Sequence, residues 1–246
     1  MKSEDRIKFI INWIKNYCKS IKMQPVTLIV GVSGGIDSAV TSTLCAKTGL
    51  RTISVSMPIR QQYKQHNLSL NHLKWLELNF DNVVTQVINL DDTFNTFYKT
   101  VKKFNSELAF ANSRSRLRMV TLYQIAQTNS GLVVGTGNKV EDFGIGFYTK
   151  YGDGGVDISP IADCTKTQVW EMGTTLSIKE DIINAKPTDG LWDDSRNDED
   201  QINLTYQQIE EAMKDSNSGY YKKYLEIREK NLHKMRPIPV CKFKES

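Results

Sequence analysis

The chain of 246 residues lacks the features that mark membrane proteins and disulfide-rich secreted proteins. It contains no run of 18 apolar residues, so no membrane span is expected, and its start, MKSEDRIKFI, lacks the apolar core of a signal peptide. Its cysteines lie far apart and form no C-x-x-C pair: Cys18, Cys45, Cys164 and Cys241. This spacing indicates reduced thiols and disfavours a cysteine metal site. We therefore expect a cytoplasmic protein that is not bound to a membrane.

Strong net charge and histidine clusters are also missing. Lysine and arginine total 32 against 28 aspartates and glutamates, and a net charge of +4 does not call for nucleic acid as a partner. The histidines, His66, His72 and His233, form no triad with a serine or cysteine, so nucleophilic catalysis has little support. Internal repeats and low-complexity linkers are absent, and the length is typical of one α/β domain over residues 1–246.

Strand-like and helical patterns alternate along the chain. This alternation predicts a doubly wound, mostly parallel, Rossmann-like α/β sheet with helices on both faces. The predicted strands are Val26 to Val32, Thr52 to Met57, Val83 to Leu90 and Leu132 to Val134. The predicted helices are Arg6 to Ile21, Ala39 to Cys45, Leu68 to Leu78 and Ser113 to Gln127. Because ligands bind beyond the carboxyl ends of such strands, the glycine-rich turns after Val32 and Val134 are expected to face one site.

The stretch LIVGVSGGIDSAV places two glycines between a predicted strand and a predicted helix. Backbone N–H groups at a helix N-terminus favour phosphate, and S-G-G-x-D-S directly after a strand is typical of a phosphate loop. A tight turn in which Asp37 or Ser38 is a plain N-cap is the alternative. The Walker A pattern G-x-x-x-x-G-K-[ST] is absent, which disfavours ordinary γ-phosphate transfer. The stretch resembles the pyrophosphate loop of the ATP pyrophosphatases, which cleave ATP between the α and β phosphates.

A longer block from Gly135, GTGNKVEDFGIGFYTKYGDGGVDISPIADCTKTQVWEM, resembles NAD synthetase. NSRSRLRM from Asn112, PTDGLW from Pro187 and HKMRP from His233 agree in order, so the resemblance spans Gly31 to Pro239. It implies the fold of the adenine nucleotide alpha hydrolases. It also implies a ligase in which ATP adenylates the nicotinate carboxylate of deamido-NAD, releasing pyrophosphate, and ammonia then displaces AMP to give NAD.

The resemblance also implies roles for individual residues. The ATP contacts would be Gly31, Val32, Ser33, Gly34, Gly35, Ile36, Asp37, Ser38, Thr136, Lys166 and Thr188. The deamido-NAD contacts would be Asn112, Arg116, Lys150, Asp157, His233 and Lys234. Asp37 and Glu141 would hold Mg²⁺ as the cofactor, since carboxylates are hard oxygen ligands, and Asp37 and Lys166 would be catalytic. Lys150 and Lys166 are expected to be flexible charges, and Asp153 or Asp157 to accept the proton of ammonia.

Parts of the sequence leave the site incomplete. On a helix the side chains of Arg114, Arg116 and Arg118 point in different directions, so we expect at least one of them to be a solvated surface charge. Arg116 is the one predicted to be functional. VEDFGIGF is longer than the same stretch in many relatives. The spacing from Thr136 still identifies Glu141, but the intervening turn is left undefined. The region after Met57 matches weakly, so adenine and ribose contacts are not assigned.

Two charged segments carry further predictions. Asp189 to Asp200 holds six acidic residues and one arginine, so we expect a mobile loop that closes with ATP, with an ordered acidic turn as the alternative. Gly219 to Ser246 holds eight basic and three acidic residues. Its His233 and Lys234 are expected to bring cationic charge to the substrate, with a solvated basic helix as the alternative.

Two other functions stay open at this stage. A tRNA-modifying or thiolating ATP pyrophosphatase would share the loop but should show a basic RNA-binding face or sulfur-handling cysteines. A non-catalytic nucleotide-binding module would not need Glu141 and Lys166 together. The resemblance implies a homodimer, for which the helix around Trp13 is a candidate contact. Free ammonia is the expected nitrogen source, because Met1 to Met23 is too short for the amidase domain that glutamine-dependent members carry.

Overall fold

The structure is a computed structural model that describes residues 1–22, 24, 26–188, 190–192 and 196–243. In these residues the strands are β1 Thr27–Gly31, β2 Thr52–Ser56, β3 Val83–Val87 and β4 Gly131–Val134. The α-helices are α1 Ser3–Ser20, α2 Ile36–Lys47, α3 Tyr63–Asn79, α4 Asp91–Val101, α5 Glu107–Thr128, α6 Lys166–Thr175, α7 Glu180–Ile183, α8 Asp198–Ile202, α9 Tyr206–Lys214 and α10 Tyr221–Met235. A 3₁₀ turn at Lys102–Phe104 and a π-helical turn at Lys139–Ile145 complete the set.

The strands form one parallel sheet in the order β3-β2-β1-β4. In its register Ile29 of β1 lies between Ile53 of β2 and Val133 of β4. The chain winds outward from β1 to β3 and then returns to place β4 on the other side of β1. The order therefore reverses between β1 and β4, which is where ligands of open α/β sheets bind. This architecture confirms the predicted fold class.

Alternating side chains of β1 build a core on each face of the sheet, as the two-residue period of a strand requires. Leu28 and Val30 pack in one cluster with Ile14 of α1, Leu44 of α2 and Met172 of α6. Ile29 packs in the other cluster, with residues of α4 and α5. Both faces of the sheet are thus covered by helices, as a parallel sheet requires.

A third cluster lies beside the carboxyl edge of the sheet. It joins the π-helical turn to α9 and α10 through Val140, Ile145, Tyr206, Ile209 and Tyr224. The C-terminal helices therefore form a side wall next to the strand ends, and they carry residues of the candidate site described below.

The predicted strands and helices are all found, with bounds shifted by up to six residues, but α6 to α9 were not predicted, and neither was α4. Its apolar residues Phe94, Tyr98 and Val101 lie among polar ones, and in this helix only Phe94 is fully buried, so the pattern in the sequence is weak. Gly49 follows α2 with φ of +76°, the left-handed backbone conformation that commonly ends a helix. In the described residues no helix combines the length and apolar character that a membrane crossing requires.

A buried histidine ties α3 to α2. His72 is 1% exposed, its Nε2 lies 2.9 Å from Ser42 Oγ, and its ring stacks on Trp75. Burial lowers the pKa of His72 to about 4. The folded protein therefore resists protonation of His72 in a pH range where the unfolded chain accepts the proton.

We expect wild type to lose about 2 kcal/mol more of its unfolding free energy than His72→Gln between about pH 7.5 and about pH 5. In the unfolded chain His72 takes up a proton near its ordinary pKa, whereas in the folded protein it stays neutral until about pH 4. The contribution of His72 to the unfolding free energy is thus absent at pH values above its pKa in the unfolded chain. It becomes destabilising as the pH falls below that value. Urea unfolding at both pH values measures it, and parallel losses in the two proteins would contradict it.

Candidate active site

A cavity of about 1020 Å³ lies at the carboxyl edge of the sheet, where the strand order reverses. Its walls come from the loops after β1 and β4, from α5, from the segment before α8 and from the end of α10. The volume is at the upper limit of ordinary ligand pockets, about 300–1,000 Å³, which leaves room for more than one ligand.

The loop after β1 has the form expected of a phosphate loop. α2 begins at Ile36 with Gly35 as its N-cap and no side-chain cap, so the alternative of Asp37 or Ser38 as a plain N-cap is not found. Ser38 Oγ instead donates to Gly35 O and accepts from Ser33 N, which folds the loop around the helix end. Gly34 has φ of +93°, and a Cβ there would lie 2.8 Å from Gln65 O. The loop lines the cavity with the N-terminal end of α2.

A buried ion cluster lies beside this loop. Lys166 Nζ lies 2.5 Å from Asp37 Oδ2 and 2.8 Å from Glu141 Oε1, and the Lys166 side chain is 2% exposed. Burial alone would lower the pKa of Lys166, but the two carboxylates outweigh it and raise that pKa, so the ammonium stays charged. Burial likewise favours the neutral acid at Glu141, yet Lys166 and the Tyr206 hydroxyl lower its pKa.

Three separate segments bring these charges together. Asp37 is in the first turn of α2, Glu141 is in the π-helical turn, and Lys166 is the first residue of α6. A capping box of Thr165 and Gln168 fixes the start of α6. The prediction that Lys166 is a flexible charge is wrong, because the two carboxylates and the surrounding core hold it.

The π-helical turn Lys139–Ile145 contains most of the segment VEDFGIGF, whose form the sequence left undefined. Such turns contain an extra residue and often occur at functional sites. Here both Glu141 and Asp142 line the cavity. Burial, and then the neighbouring carboxylates, raise the pKa of Asp142 well above its usual range. A Cβ at Gly137 would overlap the Asp142 carboxyl group, so any larger residue at this position displaces that side chain.

Asp37 and Glu141 have the donor chemistry that a divalent cation needs. Their oxygens converge on one cation, the Lys166 ammonium, and Asn138 supports both by donating to Asp37 Oδ1 and accepting from Glu141 N. Mg²⁺ commonly takes one or two carboxylates and fills its shell with phosphate oxygens and water. No group of three or more His, Cys, Asp or Glu residues in the described ranges forms a complete metal cage. The residues therefore fit a magnesium ion shared with a phosphate ligand.

Basic side chains line the opposite part of the cavity. Arg116 donates to Lys150 O, Lys150 Nζ to His233 O, and Lys234 Nζ to Tyr148 O. In the part of the chain that the structure describes, none of the three cations forms a salt bridge. Their charge is thus available to an anionic ligand, and Asn112 lies beside them, bonded to Thr149.

The three arginines of α5 lie in different surroundings. Arg116 lines the cavity as predicted. Arg114 is 5% exposed, donates to Leu191 O, and lies with its guanidinium 5.0 Å from the Phe94 ring centre. Arg118 donates to Met57 O. All three contact the protein, but Arg116 is exposed, so the expectation that at least one of them is a solvated surface charge is not contradicted.

One predicted substrate contact does not reach the cavity. Asp157 Oδ2 accepts from Val133 N at 2.8 Å and its Oδ1 accepts from Tyr123 OH, so its carboxylate holds the edge of β4. The other predicted contacts all line the cavity: Gly31, Val32, Ser33, Gly34, Gly35, Ile36, Asp37, Ser38, Asn112, Arg116, Thr136, Lys150, Lys166, Thr188, His233 and Lys234. Asp153, the other candidate proton acceptor, also lines it.

The acidic segment is partly described. Asp189, Asp193 and Asp194 lie outside the described residues, as do Lys244 to Ser246 of the basic tail. Asp198 begins α8 and is 5% exposed, so it is not a solvated charge. Thr188 Oγ1 donates to Arg196 O. The prediction that the loop closes with ATP stays a prediction.

Sequence reasoning missed several cavity and support residues. Gln61, Gln62 and Gln65 line the cavity in the weakly matching region after Met57. Asn138 stands inside GTGNK, so its motif was a usable signal. Tyr206 bonds to Glu141, but its residue type and helical setting give no such signal.

The family model described as NAD synthase matches residues 6–242. This chain belongs to the NAD synthase family. The NH₃-dependent NAD⁺ synthetase of Finegoldia magna is 36% identical over 211 residues, which cover 85% of this chain and 84% of that protein. The NAD synthase family is one of ligases that use ATP, so the predictions of an amide-forming ligase and of ATP as co-substrate are confirmed.

Solved structures share the fold of this chain, but their names give two different products, NMN and NAD. The NMN synthetase of Francisella tularensis superposes with a TM-score of 0.90 at 29% identity, covering 99% of this chain and all of that one. The NH₃-dependent NAD synthetase of Campylobacter jejuni, solved with nitrate, gives 0.78 at 22% identity, with 98% of this chain covered and all of the other. At that identity the second likeness concerns the fold alone.

We expect Lys166→Met to lower the unfolding free energy by about 3–5 kcal/mol without ligand, because it leaves two buried carboxylates without their cation. Mg²⁺ with α,β-methylene-ATP should restore part of the loss. Lys139→Met is the matched control, since the Lys139–Asp163 pair is exposed and should contribute less than about 1 kcal/mol. Urea unfolding measures both variants, and equal small losses would contradict the assigned role of the cluster.

Proposed function

We propose that this chain amidates the nicotinate carboxylate of deamido-NAD, with ATP as the activating substrate and ammonia as the nitrogen donor. One observation carries the proposal. The phosphate loop, the Asp37–Lys166–Glu141 cluster and the cations of the opposite wall, Arg116, Lys150 and Lys234, line the same cavity. The site therefore suits an ATP molecule and a second anionic nucleotide at once.

The reaction has two steps. A carboxylate oxygen of the substrate attacks the α-phosphorus of ATP, the bond to the β-phosphate oxygen breaks, and pyrophosphate leaves. Ammonia then attacks the acyl carbon, the bond to AMP breaks, and nitrogen gives up a proton. Both steps need two anionic ligands held in line and charge stabilised on phosphate oxygens, which is a task of positioning and electrostatics.

The residues of the cavity suit these tasks. N–H groups of the loop from Ser33 to Ser38 bind phosphate oxygens, and Lys166 places a fixed positive charge beside them. Arg116, Lys150 and Lys234 orient the anionic group of the second nucleotide. Asp153 takes the proton of ammonia, since Asp157 lies outside the cavity.

Asp37 and Glu141 would hold Mg²⁺. When bound, the ion would neutralise charge on the phosphate oxygens as pyrophosphate departs. The protein's own contribution is to keep two carboxylates converged on one cation position in a buried setting.

A second candidate substrate is nicotinate mononucleotide, whose amidation gives NMN. The superposition with the Francisella tularensis NMN synthetase, at a TM-score of 0.90 and with nearly complete mutual coverage, favours it. Physical chemistry also favours it, because a terminal phosphate carries close to two negative charges near pH 7, whereas each phosphate of a diphosphate linkage carries one. In the described residues Arg116, Lys150 and Lys234 form no salt bridge, which suits such a concentrated charge.

Pyrophosphate release from ATP, measured with each nucleotide in turn, tests the function and separates the two substrates. We expect release that requires both ammonia and a nicotinate nucleotide, with negligible turnover on glutamine. A higher kcat/KM with deamido-NAD would support the first candidate, and a higher value with the mononucleotide would support the second. Release that depends on tRNA, or nucleotide binding without turnover, would contradict both.

We also propose that the protein is a cytoplasmic homodimer. α1 buries Ile7, Ile10 and Ile14 in the core but leaves Phe9, at 64% exposure, and Trp13 on its outer face. An exposed aromatic stripe of this kind suits a second copy of the chain. Sedimentation at micromolar concentration measures the assembly, and a monomer would contradict it.

A further inference from the structure

Tyr206 is a fully buried tyrosine that the reaction described above does not use. It is the first residue of α9, whose start is fixed by a capping box of Thr205 and Gln208. Its ring meets the Trp170 ring edge-on at 5.9 Å, and the Lys166 ammonium lies 4.8 Å from its centre. The phenol therefore points from the C-terminal wall into the ion cluster.

The Tyr206 hydroxyl lies between two carboxylates. Its oxygen is 2.6 Å from Glu141 Oε1 and 3.2 Å from Asp198 Oδ2. An ionised carboxylate only accepts hydrogen bonds, so the Tyr206 hydroxyl is the donor in both contacts. The shorter distance assigns the main hydrogen bond to Glu141.

Glu141 depends on such a donor for its orientation. Its carboxylate is carried on a flexible side chain from a π-helical turn, and Oε1 is held by Lys166 on one side and Tyr206 on the other. Lys166 alone does not define this arrangement, because the same ammonium also bonds Asp37. The phenol adds a rigid second contact, fixed by packing against Trp170.

We propose that Tyr206 is a positioning residue that orients the Glu141 carboxylate toward the divalent cation. Partners of this kind typically change metal affinity by about 10–100-fold when they are removed. Tyr206 also reaches the segment that carries Thr188, since Asp198 N donates to Pro187 O. The inference rests on one part of the proposed function, the assignment of Glu141 as a metal ligand.

Mn²⁺ binding to the Tyr206→Phe variant tests the proposal. The phenylalanine keeps the ring and its packing and removes only the hydroxyl. Tyr224→Phe is the matched control, because Tyr224 is buried in the same cluster and no hydrogen bond of its hydroxyl is found in the described residues. The dissociation constant of Mn²⁺ is measured by electron paramagnetic resonance with saturating α,β-methylene-ATP, which prevents turnover.

We expect Tyr206→Phe to weaken Mn²⁺ binding about tenfold or more and Tyr224→Phe to leave it within about twofold of wild type. Affinity for the ATP analogue without metal should not change in either variant. In a Glu141→Gln background, Tyr206→Phe should have almost no further effect, because the carboxylate that it orients is gone.

Mn²⁺ affinity of Tyr206→Phe equal to that of wild type would overturn the inference and leave the proposed function intact. The same loss in the Glu141→Gln background would also overturn it, since Tyr206 would then act through general packing. Absence of Mn²⁺ binding to the wild-type protein with the analogue would overturn both the metal assignment and this inference.

Discussion

The structure of the site depends on one buried interaction, the contact of Lys166 with Asp37 and Glu141. Removing three charges from water is costly, and only close mutual contact with further hydrogen bonds offsets the cost. Asn138 and Tyr206 supply those bonds. The starts of two helices and the π-helical turn must therefore meet at one point, which determines the position of the phosphate loop relative to the other wall.

Sheet topology makes this meeting possible. β1 and β4 are neighbours at the point where the strand order reverses, so the loops after both strands open into the same space. The third core cluster then holds α9 and α10 against the π-helical turn. The cations of the opposite wall are carried by α5, by the loop after the π-helical turn and by α10, and they link these segments through backbone carbonyl groups.

Local patterns in the sequence were enough to predict the strands, four of the ten described helices and the phosphate loop, because β-branched runs, helical periodicity and glycine pairs act over a few residues. Lys166 was expected to be mobile because its burial depends on Asp37, 129 residues away, which no local pattern reports. Asp157 shows the limit of motif resemblance. Its position matches the family, but hydrogen bonds to Val133 and Tyr123 decide where its carboxylate lies. Tyr206 looks like an ordinary core residue until its hydroxyl is placed against Glu141.

The central claim is that this cavity joins the nicotinate carboxylate to the α-phosphorus of ATP before ammonia attacks. Isotope transfer tests it most directly. A nicotinate nucleotide labelled with oxygen-18 in its carboxylate is turned over with ATP and ammonia, and the products are analysed by mass spectrometry. The account predicts one labelled oxygen in AMP and none in pyrophosphate, and label in pyrophosphate, or AMP without label, would contradict it.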